Sequence, residues 1–376
     1  MIAPVATGEG AVRLRPIDAL RGIAALLVVW LHVTQGFAAA GGGHPVPGQW
    51  LADVAQSLDV GRIGVVAFFL ISGFVIPWSI PAGQPSAAGA FLLRRAFRIF
   101  PAYWLSIPLS VVATCWLWNA PFGLRDLVAN VLLLQDVVGA RAANGVYWTL
   151  LVEMVFYLLC VVLLRSGSLH VPRRTGALAA VLLGIHVVGA TAIWLGLGWN
   201  RLLVFLPLHL SLMLCGTLIR HVVDRDDGAR TARRVLALLL AFWLLAFVPA
   251  ALLVRGLANN YVVSSLLGVA LFAGVLCSVR GNRVTDWLGR TSYSIYLFHV
   301  PVFYPLQWWV LQQPAASAWR GQHLALWLAA SLAGTLLVAA AVHRWVEQPG
   351  IRAGRRCAQA WTRWHQRRGG ALLPAT

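Results

Sequence analysis

The feature that most limits what this chain can become is a succession of ten apolar runs, at 17–39, 62–81, 99–118, 146–164, 176–198, 202–219, 235–254, 260–279, 292–311 and 323–346. Each is close to the ~20 residues that carry a helix across a bilayer. In hydrocarbon every backbone N–H and C=O must be satisfied within its own segment, so runs of this length are expected as helices. The sequence predicts an all-α polytopic integral membrane protein of about ten transmembrane helices. Composition agrees, with 59% hydrophobic and 11% charged residues and a mean hydropathy of +0.74, outside the range of soluble domains.

Charge supplies the orientation. All 30 basic residues are arginine, and the formal net charge is +18. With ten spans and a cytoplasmic N-terminus, 24 of these arginines fall on the inner side and 6 on the outer, as the positive-inside rule requires. Both termini are then cytoplasmic. The arginines are scattered between apolar runs and form no basic helix or patch, which excludes a nucleic-acid-binding class. The five cysteines lack CxxC-like spacing, so neither a disulfide framework nor a metal site is expected. Residues 13–40 mimic a cleavable signal peptide, yet the charged and imidazole groups inside them mark a retained helix. The expected organisation is a cytoplasmic segment at 1–16, a transmembrane domain at 17–347 and an Arg-rich cytoplasmic tail at 348–376, with Trp361 and Trp364 as an inner-leaflet anchor. Residues 119–145 are too polar to span, and 127–138 are read as an interfacial or re-entrant helix on the outer side.

The first apolar run carries Asp18, Arg21 and His32, groups that a lipid-facing helix avoids. At 100° per residue they share one face, and His32 lies roughly 16 Å along the axis from Arg21. Such groups cost several kcal/mol at depth unless they face partners, a cavity or a substrate. Glu153, about seven residues into a span running the other way, reaches a depth similar to that of His32. A carboxylate against the imidazole would fix its tautomer and raise its basicity. The competing reading is a Glu153–Arg or Glu153–His pair that only pins two helices.

Other groups divide in the same way. Gly61, Gly64, Ser72 and Gly73 suit close helix packing, and Ser72 is a nucleophile only beside a base. Arg95 and Arg98 stand one turn apart where a loop is expected to become a helix, so both can point at one phosphate. His299 either bonds a carbonyl freed by Pro301 or serves a site with Tyr293 and Tyr296 nearby. His186 and His209 are read as packed or pore-facing, and Glu347 as the partner of an arginine.

Five stretches in order carry a resemblance. They are Ile17-Asp18-Ala19-Leu20-Arg21-Gly22 with His32, Phe68-Phe69-Leu70-Ile71-Ser72-Gly73-Phe74, Arg94-Arg95-Ala96-Phe97-Arg98-Ile99-Phe100-Pro101, Tyr147-Trp148-Thr149-Leu150 with Glu153, and Gly289-Arg290-Thr291-Ser292-Tyr293-Ser294-Ile295-Tyr296-Leu297-Phe298-His299. Together the chain resembles the membrane-bound acyltransferase type 3 family. The resemblance implies a ten-helix fold in a bacterial cytoplasmic (inner) membrane. It also implies acyl-CoA, acetyl-CoA foremost, as a cytoplasmic co-substrate with no permanently bound cofactor, and a carbohydrate or similar acceptor. On it, His32 is catalytic and Glu153 belongs to the central site. Arg21, Arg95 and Arg98 contact the donor, and Asp18, Ser72, Phe74, Trp148, Tyr157, Tyr293 and His299 line the site. His32 acts either as general base on the acceptor hydroxyl or as a transient acyl carrier. A macrolide or other secondary metabolite is the alternative acceptor. A proton-coupled glycan or lipid exporter and a non-enzymatic scaffold are the alternative classes.

Overall fold

A computed structural model describes residues 15–40, 45–80, 86–197, 201–253, 257–314 and 317–370. The described residues form helices and connecting turns, with no strand among them. In chain order the α-helices are α1 Arg15–Ala39, α2 Trp50–Ser57, α3 Val60–Val75, α4 Ala87–Val111, α5 Leu124–Val131, α6 Gln135–Val138 and α7 Tyr147–Arg165. Then follow α8 Pro172–Trp194, α9 Arg201–Asp224, α10 Ala229–Leu253, α11 Leu257–Ser278, α12 Arg283–Gln312, α13 Leu324–Val342 and α14 Gln348–Gly370. Among the described residues each apolar run overlaps a helix, with bounds that differ, as where α3 ends at Val75. Among the described residues, seven helices are long and apolar enough to cross a membrane, so the protein is a multi-pass membrane protein.

α1 is the hub, packed against α12, α3, α13, α11 and α2. Small residues permit this closeness, as expected where lipid removes the hydrophobic drive between helices. A Cβ on Gly64 would stand 2.5 Å from the Ala24 carbonyl oxygen, and one on Gly22 2.7 Å from Leu288 Cβ. Gly73 presses in the same way on the Met213 carbonyl of α9. Asp59 opens α3 in the left-handed conformation (φ 48°). Its carboxylate accepts from the Arg62 N–H at 3.2 Å and pairs with the Arg62 guanidinium at 2.9 Å, which offsets the strain of a non-glycine residue there.

Three expectations are corrected. α4 begins at Ala87, twelve residues before the apolar run, so Arg94, Arg95 and Arg98 lie inside a helix rather than at a loop junction. The stretch 87–93 is itself apolar, and α14 covers this end of α4, with Gly354 against Phe97 and Gly89 against Trp361. The tail is accordingly not only an Arg-rich anchor: 348–370 is a helix that continues α13 through a π turn at His343–Glu347 and docks on α4. The third concerns 119–145, which holds two short helices, α5 and α6, rather than one. Asn130 ties the segment together, donating to the Asp126 and Arg141 carbonyls at 2.8 Å each and accepting from the Ala143 N–H at 2.9 Å.

Candidate active site

Two adjoining cavities lie against α1, and Val65 of α3 and Tyr296 of α12 line both. Helical spacing builds the walls and the layer of side chains behind them. On α7, Thr149, Glu153 and Tyr157 follow one another at one-turn intervals; on α12, Ser292, Tyr296, His299 and Phe303 do the same.

The first cavity is lined by Arg21, Ser72, Arg98, Glu153, Ser292, Tyr293 and Tyr296, among apolar groups of α3 and α7. Asp18, Glu153, Arg95 and Arg98 all lie within electrostatic range of the Arg21 guanidinium. Glu153 accepts from the Tyr157 hydroxyl at 2.5 Å. Arg95 sits behind the wall, donating to Ser79 Oγ at 2.9 Å with its guanidinium 5.5 Å from the ring centres of both Phe91 and Tyr157. Arg98 stands 4.0 Å from the buried Glu347, whose carboxylate also takes the Ser294 hydroxyl at 3.0 Å and His343 Nδ1 at 2.9 Å. The inferred arginine partner of Glu347 is thus Arg98. Tyr293 donates its hydroxyl to the Ile99 carbonyl at 2.8 Å.

The second cavity holds His32, Trp148, His209, Ser265 and the Asp59–Arg62 pair. His32 Nδ1 lies 2.8 Å from His299 Nε2, and His299 Nδ1 lies 2.6 Å from the Tyr296 carbonyl oxygen. A carbonyl only accepts, so His299 Nδ1 carries the proton. Neutral His299 therefore offers a bare Nε2, and the proton in the short contact belongs to His32 Nδ1. His32 is left with a lone pair on Nε2, ready to take a proton. Pro301 frees the Leu297 carbonyl, and Asn144 Nδ2 satisfies it at 3.2 Å. His299 is thereby released from repairing the proline position and holds His32 instead.

Of the sequence-inferred residues, Arg21, Arg98, Glu153, Ser72 and Tyr293 meet in the first cavity and His32 and Trp148 in the second. His299, Tyr157 and Arg95 stand one contact behind. Two more lie outside the cavity linings and further away. Asp18 is at the α1–α12 crossing, where its backbone meets Gly289. Phe74 is buried against Phe272 with the Arg220 guanidinium 4.9 Å above it. The Glu153–His32 contact is replaced by Glu153–Tyr157 and His32–His299. Tyr296, named from the sequence only as a neighbour of His299, is central to the site. Its hydroxyl meets Thr149 Oγ1 at 2.8 Å, its carbonyl fixes His299, and its ring stands between the cavities; the signal was its place one turn before His299. His209, which the sequence marks as packed or pore-facing, shares the cavity of His32.

The model of the acyltransferase domain family matches residues 15–344. The chain is 25% identical to Nodulation protein 10 of Rhizobium leguminosarum bv. viciae, over 89% of this chain and 92% of that protein. It is 29% identical to the exopolysaccharide production protein ExoZ of Rhizobium meliloti (strain 1021), over 79% and 91%. With the acyltransferase MdmB of Streptomyces mycarofaciens it shares 26% identity over 92% and 94%. No solved structure matches.

Proposed function

The chain belongs to the acyltransferase domain family, and we propose that it moves an acyl group, most simply acetyl, from cytoplasmic acyl-CoA to a hydroxyl of a surface or exported carbohydrate. The observation that carries this reading is the His32–His299–Tyr296 chain of hydrogen bonds beside an arginine-lined cavity. The donor's phosphates face Arg21 and Arg98, and its pantetheine arm runs up the wall of α1, over the roughly 16 Å rise from Arg21 to His32. His32 Nε2 takes the proton of the acceptor hydroxyl as its oxygen attacks the thioester carbonyl. The tetrahedral adduct collapses, the C–S bond breaks, and the imidazolium returns its proton to the departing coenzyme A sulfur. Tyr296, between the two cavities, marks where thioester and hydroxyl meet. The carbohydrate acceptor is supported by the exopolysaccharide role in the name of ExoZ. Ten spans with both termini cytoplasmic, in a bacterial inner membrane, complete the reading and place the donor cavity on the arginine-rich side.

The test is acyl transfer by purified protein in nanodiscs, wild type against His32→Ala, with acyl-CoA and a panel of glycan and macrolide acceptors. Transfer to glycans that falls by about 10²–10⁴-fold in the variant is the expected result. Labelling of wild-type protein by radioactive acyl-CoA without acceptor would replace the general base by an acyl-histidine. No coenzyme A release and no donor binding would overturn the reading.

A further inference from the structure

The second cavity contains more polar chemistry than His32 accounts for. His209 on α9 is 4% exposed and Ser265 on α11 is 4% exposed, and neither His209 Nδ1 nor Ser265 Oγ has a hydrogen-bond partner. Both residues line this cavity with His32. The comparison with His186 is direct, since that buried ring satisfies its Nδ1 on the Val204 carbonyl at 2.7 Å. Burying a polar group unpaired costs about as much as a hydrogen bond is worth, so such groups are retained where something else completes them. Trp148 and the Asp59–Arg62 pair form other parts of the wall. The volume, about 200 Å³, suits one small ring rather than a drug-sized ligand.

We propose that this cavity is the acceptor site and that His209 and Ser265 bind hydroxyls of a hexopyranosyl ring, holding another of its hydroxyls toward His32. A sugar ring fits because each hydroxyl both donates and accepts, matching an imidazole and a serine that offer both roles. Its C–H faces suit the Trp148 ring and the neighbouring Leu208 and Leu212. The proposal rests on the acyl-transfer reading for the link to His32.

The test measures equilibrium binding of radiolabelled methyl hexopyranosides of gluco, galacto and manno configuration to the full chain in nanodiscs, without acyl-CoA. Wild type is compared with His209→Phe, which keeps the packing against Phe69 and Trp148, with Ser265→Ala, and with His209→Gln. The expected result is binding to wild type, weakened about tenfold in His209→Phe and Ser265→Ala and partly restored in His209→Gln, which shows that the fold survives. Absence of binding to wild type, or equal binding to all four proteins, overturns the proposal. Sugar binding with the expected losses, but no coenzyme A release by wild type on adding acyl-CoA, sustains the sugar site and sinks the acyl-transfer reading instead.

Discussion

The imidazoles of His32 and His299 lie nearly parallel, inclined by 8° with centres 5.1 Å apart, and share a hydrogen bond of 2.8 Å between His32 Nδ1 and His299 Nε2. The two residues are 267 positions apart in the chain, so the contact exists only because α1 and α12 cross closely. A neutral imidazole in place of a carboxylate fixes the tautomer of His32 without adding a charge to the membrane interior, where charge is expensive.

Replacing His299 by phenylalanine should therefore leave His32 in place but free to change tautomer. We expect kcat for acyl transfer to fall on the order of tenfold or more, with KM for acyl-CoA within about twofold of wild type. His299→Gln, whose carbonyl can still accept from His32 Nδ1, should recover a substantial part. Equal rates for wild type and His299→Phe would remove His299 from the site.

Much of this arrangement was legible in the sequence, for a physical reason. The 3.6-residue period alone places Arg21 and His32 on one face of α1, and bilayer thickness alone delimits the long helices. Depth arithmetic set Glu153 level with His32, but depth says nothing of lateral position. α7 turns Glu153 toward Tyr157 and the arginines, while α12 supplies the partner of His32. The early start of α4 and the docking of α14 were hidden for a related reason. Apolarity marks what lipid touches, whereas the arginines at 94, 95 and 98 interrupt the apolar pattern of α4, and 348–370 is held as a helix by its packing on α4.

Asp126, in the segment between α4 and α7, gives a pH-dependent signature. The N–H groups of Gly123 and Arg141, at 3.0 and 2.9 Å, hold its carboxyl below the usual carboxylate range. A depressed folded-state pKa adds stability above the unfolded value, and that stability is lost as pH falls through the folded one. Hydrogen exchange at Gly123 and Arg141 should therefore accelerate in acid relative to neighbouring amides. In Asp126→Asn one of the two bonds has no carbonyl acceptor, so its protection should be lower at neutral pH and insensitive to acid. Identical profiles for the two proteins would contradict this.

Gly73 of α3 packs against the Met213 carbonyl of α9, where a Cβ would overlap that oxygen, whereas a Cβ on Gly184 of α8 would meet nothing within 4 Å. Gly73→Ala should push the two backbones apart and cost at least about 1–3 kcal/mol, read as a lower thermal midpoint in detergent. Gly184→Ala, free of contact and a better helix former, should match or exceed wild type. The reverse order would show that the α3–α9 crossing is looser than described.

The buried Glu347 carboxylate, 1% exposed, lies between His343, Ser294 and the more distant Arg98. Arg98→Ala leaves this carboxylate with one cationic neighbour fewer, and an under-compensated buried charge costs about 1–3 kcal/mol. The same change removes a cation from the first cavity, where the proposed donor binds. Adding Glu347→Gln should restore the thermal midpoint but not the KM for acyl-CoA, because only the first effect depends on Glu347. Recovery of both together would mean that Arg98 serves Glu347 alone.

Glu153 distinguishes the two ways of reading the centre. If it were the partner of His32, Glu153→Gln would depress kcat and leave donor affinity alone. In the structure its carboxylate accepts from Tyr157 and stands within electrostatic range of Arg21 and Arg95, lining the first cavity rather than the second. Its charge there offsets arginines that would otherwise attract an anionic donor more strongly. Glu153→Gln should accordingly lower the KM for acyl-CoA several-fold, leave sugar binding at its wild-type level, and lower the thermal midpoint as Arg21, Arg95 and Arg98 repel one another. Initial rates over a donor titration, with the acceptor saturating, decide it. A fall confined to kcat would return Glu153 to the imidazole and require α7 to turn relative to α1 in the active protein.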